Sequence, residues 1–194
     1  ATILPEVAKK FIDLGIEVVI ESEIGSKIFL SDDLYLQVGA AVSTDRSKSL
    51  STADIICRIN KPKMEEVAIL KKNAIHVSFL DPFNEIELVN EFARASISAI
   101  SMELVPRITR AQKMDALSSQ ANLAGYSAVI EAARTLTKSF PMMMTAAGTI
   151  SPSRVFVIGV GVAGLQAIAT AKRLGARVEA FDTRPIVEEQ VKSL

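Results

Sequence analysis

The chain has no tryptophan, one cysteine and one histidine among its 194 residues. A single cysteine, Cys57, excludes an intrachain disulfide. With no histidine beside it in sequence, its expected role is that of a small buried hydrophobe. The one histidine, His76, lies in an apolar, strand-like run and is expected to pack rather than to catalyse. Net charge is also absent, with 22 basic and 22 acidic residues. Charge therefore gives no reason to expect nucleic acid or an anionic membrane surface as a partner. No apolar run has the length of a membrane-spanning helix. The N-terminus does not read as a signal peptide, because Pro5 and Glu6 interrupt it and no cationic segment precedes an apolar one. Neither a fixed-period repeat nor a low-complexity linker is visible. Hydrophobic residues make up 49% of the chain, which implies a globular, mainly aliphatic core.

The most informative stretch runs from Arg154 to Gly164, Arg-Val-Phe-Val-Ile-Gly-Val-Gly-Val-Ala-Gly. Val155 to Ile158 form a short apolar run suited to a parallel strand covered on both faces. Gly159 permits a tight turn, Gly161 lets backbone approach a pyrophosphate, and Gly164 lets a helix sit close to the strand. A helix from about Val162 to Leu174 follows, with Leu165, Ile168 and Ala171 on one face and Gly175 placed to end it. Arg177 to Phe181 read as a second strand. Asp182 stands at its end, 18 residues after Gly164. A carboxylate there accepts hydrogen bonds from ribose hydroxyls and repels a 2′-phosphate, which favours NAD(H) over NADP(H). Arg184 pulls the other way, since an arginine near that acid suits a 2′-phosphate. The alternative to a dinucleotide site is a glycine-rich turn with no ligand.

Upstream, strand and helix alternate four or five times before residue 103, the pattern of an α/β layer with a mostly parallel sheet. Helices are expected over Leu4–Leu14, from Ser31-Asp32-Asp33, over Thr44–Ser51, Met64–Lys72 and Asn84–Ala95. Strands are expected over Ile16–Glu21, from Gly39, over Ala53–Ile59, Ala74–Leu80 and Ser96–Met102. The stretch Glu103–Asn122 is polar and mixes guanidinium, amide, carboxylate and hydroxyl groups. Loops at the carboxyl ends of strands carry ligands in such proteins. The plain alternative is a solvated loop and helix cap, with Ser118 or Ser119 as N-cap. A long helix is expected from Leu123 to near Lys138, and Met142-Met143-Met144 is expected to fill core space. The fold class is thus α/β, two Rossmann-like domains with mostly parallel sheets joined by a long helix. The expected division is 1–117 and 118–194, and the chain looks truncated at both ends.

The run Pro106-Arg107-Ile108-Thr109-Arg110-Ala111-Gln112-Lys113-Met114-Asp115-Ala116-Leu117-Ser118-Ser119-Gln120-Ala121-Asn122-Leu123-Ala124-Gly125-Tyr126 resembles the nicotinamide-contacting loop of proton-translocating NAD(P)+ transhydrogenases. Met142–Thr149, Gly159–Gly164 and Phe181-Asp182-Thr183-Arg184-Pro185 resemble the same family's NAD(H)-binding component, domain I or the alpha subunit. The resemblance implies a peripheral component of a membrane-bound enzyme. This component would hold NAD(H) and be a homodimer, a second would hold NADP(H), and a third would span the membrane. Hydride would pass directly between the nucleotides, coupled to proton movement. Location would be the inner membrane, on its cytoplasmic face in bacteria or its matrix face in mitochondria. By motif position, Arg107, Gln112, Asp115 and Ser118 would surround the nicotinamide. Gly159, Gly161, Val162 and Gly164 would hold the pyrophosphate, and Asp182 and Arg184 would lie at the adenosine ribose. Such a transfer requires positioning rather than a general acid or base. The alternatives are an alanine-type amino-acid dehydrogenase, whose lysine and histidine positions here are Asn60 and Asp81, and a non-catalytic NAD-sensing module.

Overall fold

The computed structural model describes residues 2–194, and the chain divides into two compact units, Ala1–Met114 and Asp115–Leu194. In the first, helix α1 (Pro5–Asp13) opens on a proline, whose fixed φ suits the first turn and whose missing N–H is not needed there. Strand β1 (Val19–Glu21) runs parallel to β2 (Ala41–Ser43), with α2 (Asp32–Gln37) between them in sequence. Tyr35 of α2 is fully buried, and its hydroxyl donates to the Ile3 carbonyl at 2.8 Å, so the polar tip of a core side chain is satisfied. Helix α3 (Arg46–Thr52) is capped by Asp45, which accepts from the Lys48 N–H at 2.9 Å. Strands β3 (Ile55–Cys57), β4 (Ile75–Ser78) and β5 (Ser98–Ser101) form a parallel sheet in that order. Helix α4 (Met64–Val67) precedes β4, and α5 (Ile86–Arg94) precedes β5.

The expected helix over 64–72 is shorter than its apolar spacing implies. After Val67 the N–H groups of Ile69 and Leu70 bond only three residues back, and Asn73 turns through φ +65° to send the chain into β4. Leu70 still reaches the core, which gathers Leu50, Ile56, Val67, Leu80, Leu88, Phe92 and Ile97. A second cluster joins Ala8, Val18, Ile20, Tyr35 and Ala40. Cys57 is half-buried, and burial pushes its thiol up, which keeps it protonated and unreactive.

The second unit opens with α6 (Ala116–Thr135), which starts before the expected Leu123 and ends before Lys138. Strands β6 (Met143–Thr145) and β7 (Gly148–Ile150) form an antiparallel hairpin. The expectation that Met142–Met144 fill a core is therefore corrected: all three side chains are exposed, and two belong to this hairpin. Strand β8 (Arg154–Ile158), α7 (Val162–Arg173) and β9 (Arg177–Phe181) make a parallel βαβ unit, in which Ile158 pairs with Phe181. Gly175, at φ +86°, turns the chain out of α7 as expected. A short helix, α8 (Glu188–Lys192), follows. One face of the two strands packs Val155, Val157, Val178 and Ala180 into the core with α7. The other presents Phe156, Ile158 and Phe181 to solvent.

His76, in the middle of β4, is fully buried, packs against Phe92 at 5.1 Å between ring centroids, and has no hydrogen-bond partner for either ring nitrogen. Burial, and then the Arg58 guanidinium, lower its pKa to about 4, while Glu66 acts in the opposite direction. Arg58 and Glu66 are themselves paired at 2.9 Å. The histidine therefore folds neutral. Because its folded pKa lies below the unfolded value near 6.5, its contribution is complete above about pH 6.5 and is lost as pH falls towards 4. Urea unfolding of His76→Phe between pH 7 and 4.5 should show a flatter loss of stability than the parent. An equally steep loss in the variant would mean that His76 is not the group responsible.

Candidate functional site

The glycine turn joins β8 to α7. Gly159 has φ +90°, a conformation that a side chain would strain. Gly161 is the N-cap of α7 with φ −82°, and a Cβ placed on it would meet nothing within 4 Å. Its missing side chain leaves open space over the helix N-terminus. Gly164 differs, because a Cβ there would run into the Gly159 carbonyl oxygen, with the Gly159 carbonyl carbon next at 2.9 Å. The three positions thus have three separate reasons for glycine: conformation, approach and packing. Val162 is the first residue of α7, and no side chain caps that helix. The N–H groups of a first helical turn have no intrahelical acceptor and carry the positive end of the dipole. Open space, unclaimed donors and a favourable dipole fit the pyrophosphate of a dinucleotide.

Asp182, at the end of β9, closes this turn. One carboxylate oxygen accepts the Val160 N–H at 2.7 Å and the Arg184 guanidinium at 3.0 Å. The other accepts the Arg184 backbone N–H at 2.8 Å and its Nε–H at 3.0 Å. Arg184 also donates to the Val160 carbonyl at 3.3 Å. The Arg184 side chain first, and then the Val160 and Arg184 backbone N–H groups, hold the Asp182 carboxyl well below the usual carboxylate range. Its side chain is only 7% exposed, whereas Arg184 is 57% exposed. Beside them lies an open cleft of about 340 Å³, lined by Val160, Phe181, Asp182, Arg184 and residues of α8.

The polar loop divides between the units. Arg107 and Gln112 belong to the first, and both are exposed, Gln112 in a tight turn of helix over Thr109–Met114. Asp115 and Ser118 belong to the second and touch each other. Asp115, not Ser118 or Ser119, caps α6, accepting the Ser118 N–H at 2.9 Å and the Ser118 hydroxyl at 2.5 Å. The expectation of a serine cap is corrected, because the carboxylate reaches an N–H three residues ahead and also binds the serine that competes for it. Two contributors escape the sequence reading. Val160, buried between the first two glycines, has both its N–H and its carbonyl engaged by the Asp182–Arg184 pair. Gly125, inside α6, is buried, and a Cβ on it would run into the Ala163 carbonyl oxygen. A glycine within a helix disfavours it by about 1 kcal/mol relative to alanine, which is the available signal that it serves packing.

A glycine turn of this kind, between a parallel strand and a helix and closed by an acid on the next strand, defines a Rossmann-type unit. Two family models match the chain: alanine dehydrogenase/PNT, N-terminal domain, over residues 1–124, and alanine dehydrogenase/PNT, C-terminal domain, over residues 128–194. The chain belongs to the alanine dehydrogenase/PNT family. It is similar to an NAD(P) transhydrogenase subunit alpha protein of Rhodospirillum rubrum, at 48% identity, with 99% of this chain and 51% of that protein covered. It spans about half the length of that relative. The solved structure of transhydrogenase from Sinorhizobium meliloti matches with a TM-score of 0.95 at 47% identity, covering 99% of this chain and 57% of that one. An L-alanine dehydrogenase structure matches with a TM-score of 0.86 at 22% identity, covering 99% of this chain and 53% of that one, and so shares the fold.

Gly161→Ala and Gly164→Ala separate approach from packing. Gly161→Ala should leave the thermal midpoint unchanged or slightly raised, by the equivalent of at most about 1 kcal/mol, while weakening dinucleotide binding. Gly164→Ala should lower both. Thermal scans with and without nucleotide check this, and a Gly161→Ala variant that binds as the parent does would remove the assigned role of the open space.

Proposed function

We propose that the chain is the NAD(H)-holding portion of an NAD(P) transhydrogenase alpha component. In this reading it presents the nicotinamide for direct hydride transfer to NADP+ on a partner component, in an enzyme that couples the transfer to proton translocation. The Asp115–Ser118 pair is the observation that carries it. Ser118 directs its hydroxyl proton at Asp115, which leaves the hydroxyl oxygen as an acceptor beside a carboxylate. A nicotinamide carboxamide offers N–H donors that such a pair can receive. Gln112 would add a two-sided amide and Arg107 a cation. The glycine turn would receive the pyrophosphate, with Val162 at its helix start.

Asp182 would face the adenosine ribose. Its carboxylate retains negative charge at any physiological pH, which opposes a 2′-phosphate. Arg184 is the group that would attract one, and its guanidinium is already bonded to Asp182 and to the Val160 carbonyl. NAD(H) is therefore the preferred ligand. The nucleotide supplies the hydride chemistry, and these residues supply grip, orientation and discrimination.

The amino-acid dehydrogenase reading is weaker. Lys61 donates to Glu85 at 2.5 Å and lies 3.9 Å from Asp81, and the Glu85 bond raises its pKa rather than preparing a neutral amine. His76 is sealed within the core. The position expected for that enzyme's histidine is Asp81, whose N–H is bonded to Glu103 at 2.5 Å. An NAD sensor would use the glycine turn but leaves the Asp115–Ser118 pair without a purpose. Among the described residues no helix is long and apolar enough to cross a membrane. A peripheral position on the inner membrane, contact with NADP(H)-binding and membrane-spanning components, and a homodimer complete the proposal.

The full-length chain, mixed with an NADP(H)-binding component, should reduce NADP+ with NADH. Oxidation of NADH by pyruvate and ammonia without a partner would instead establish the dehydrogenase. Asp115→Ala should slow transfer by about tenfold or more while changing NADH affinity much less, since a small misplacement of reacting groups is costly in rate. Equal losses in both would reduce the pair to a binding clamp. In competition titrations NADPH should bind at least about tenfold more weakly than NADH, a difference of about 1.4 kcal/mol. Equal affinities would remove the discriminating role of Asp182.

A further inference from the structure

Helices α6 and α7 meet along two ridges of small side chains, Gly125, Val129 and Ala133 on α6 and Ala163, Ala167 and Ala171 on α7. Val129, Ala133, Ala167 and Ala171 share one packed cluster. At the end of the seam nearest the glycine turn, the contact is backbone on backbone. A Cβ on Gly125 would collide with the Ala163 carbonyl oxygen, with the Ala163 carbonyl carbon at 2.9 Å and Cα at 3.1 Å. None of these atoms belongs to a flexible side chain, so only movement of a whole helix relieves the clash.

Ala163 and Gly164 lie in the first turn of α7, and Gly164 in turn rests against the Gly159 carbonyl. Three pieces of main chain are therefore stacked without a side chain between them: α6 at Gly125, the first turn of α7, and the glycine turn. The inner two are also held by β8, by β9 and by the Asp182–Arg184 pair on Val160. Helix α6 is held to them through the seam alone on this side, so it is the element that gives way. Its first turn carries Asp115 and Ser118, ten residues or about 15 Å along the axis from Gly125 at about 1.5 Å per residue.

We infer that Gly125 is a positioning residue: its missing side chain sets the spacing between the Asp115–Ser118 end of α6 and the glycine turn, and so the register of the two halves of one dinucleotide. This rests on the transhydrogenase reading above and adds to it a residue that touches neither half of the ligand. Any side chain at 125 pushes the Asp115–Ser118 end away from a turn that stays in place. Binding of the ADP half is then preserved while presentation of the reacting ring is lost. A displacement on the order of 1 Å is enough to reduce rate up to about a hundredfold.

The test uses the full-length chain with its NADP(H)-binding component, ADP-ribose as probe of the ADP half, and NADH-to-NADP+ transfer as probe of the whole. Gly125→Ala should leave ADP-ribose affinity within about twofold and lower transfer by about tenfold or more. Ala167→Val adds volume one helical turn along the same seam and should give the same split in smaller degree, which covers the case in which Gly125→Ala does not fold. Val129→Ala loosens the seam without widening it and should lower the thermal midpoint while leaving the ratio of transfer to ADP-ribose affinity near that of the parent. Parallel loss of ADP-ribose binding and transfer in Gly125→Ala, unchanged transfer in that variant, or the same split in Val129→Ala would each overturn the inference. A parent protein that binds NADH but transfers no hydride would overturn the transhydrogenase reading itself, and this inference with it.

Discussion

The carboxylate of Asp182 is the point on which the second unit depends. It sits at the end of β9 and reaches back across the sheet to the N–H of Val160, between two glycines that have no side chains to hold the turn in shape. Arg184 keeps the carboxylate in place and takes the opposite side of the same residue through its carbonyl. A turn chosen for openness is thereby given rigidity from outside. A charge-assisted hydrogen bond to a backbone N–H in a nearly buried setting is among the stronger contacts available to a carboxylate. It operates here without occupying the space above Gly161.

That arrangement explains why the glycines differ in what they do. Gly159 and Gly161 keep the approach clear, whereas Gly164 and Gly125 bring backbones into contact on the far side. The first pair shapes a surface, and the second sets distances behind it. Helix α7 is the shared element, its N-terminus offered to an anion and its first turn pressed between the turn and α6. The first unit follows a different logic. Its parallel strands are short, its core is aliphatic apart from Tyr35, His76 and Phe92, and the ion pairs of Arg46 and Arg58 with Glu66 join α3 and the end of β3 to α4.

Much of this is legible in the residues alone. The β8–turn–α7–β9 sequence has apolar strands, spaced glycines and a terminal acid, each with one physical meaning, and the structure follows it closely. The alternation of the first unit is equally plain, because short runs rich in isoleucine and valine are bounded by turn residues. Errors fall where local signals compete. Asp115 and Ser118 are both good caps, and only geometry shows that one binds the other. The methionine run has no alternation to betray a hairpin, since Met143 and Met144 face opposite sides of a ribbon that is exposed on both. Helix 64–72 has the correct spacing but lacks room before β4. Gly125 carries a signal, a helix breaker within a helix, whose reason lies 38 positions away in Ala163, as 163 − 125 counts.

The double duty of Asp182 has an evolutionary consequence. In many sites the residue that selects a ligand is free to change, because nothing else leans on it. Here the acid that would choose between two nucleotides also braces the loop that receives both. A lineage altering its preference by replacing this acid alone would first pass through a slackened loop, and a replacement for Arg184 would disturb the same brace. Preference and architecture are therefore inherited together, and a successful change requires at least two coordinated substitutions, one to recognise the new ligand and one to hold Val160.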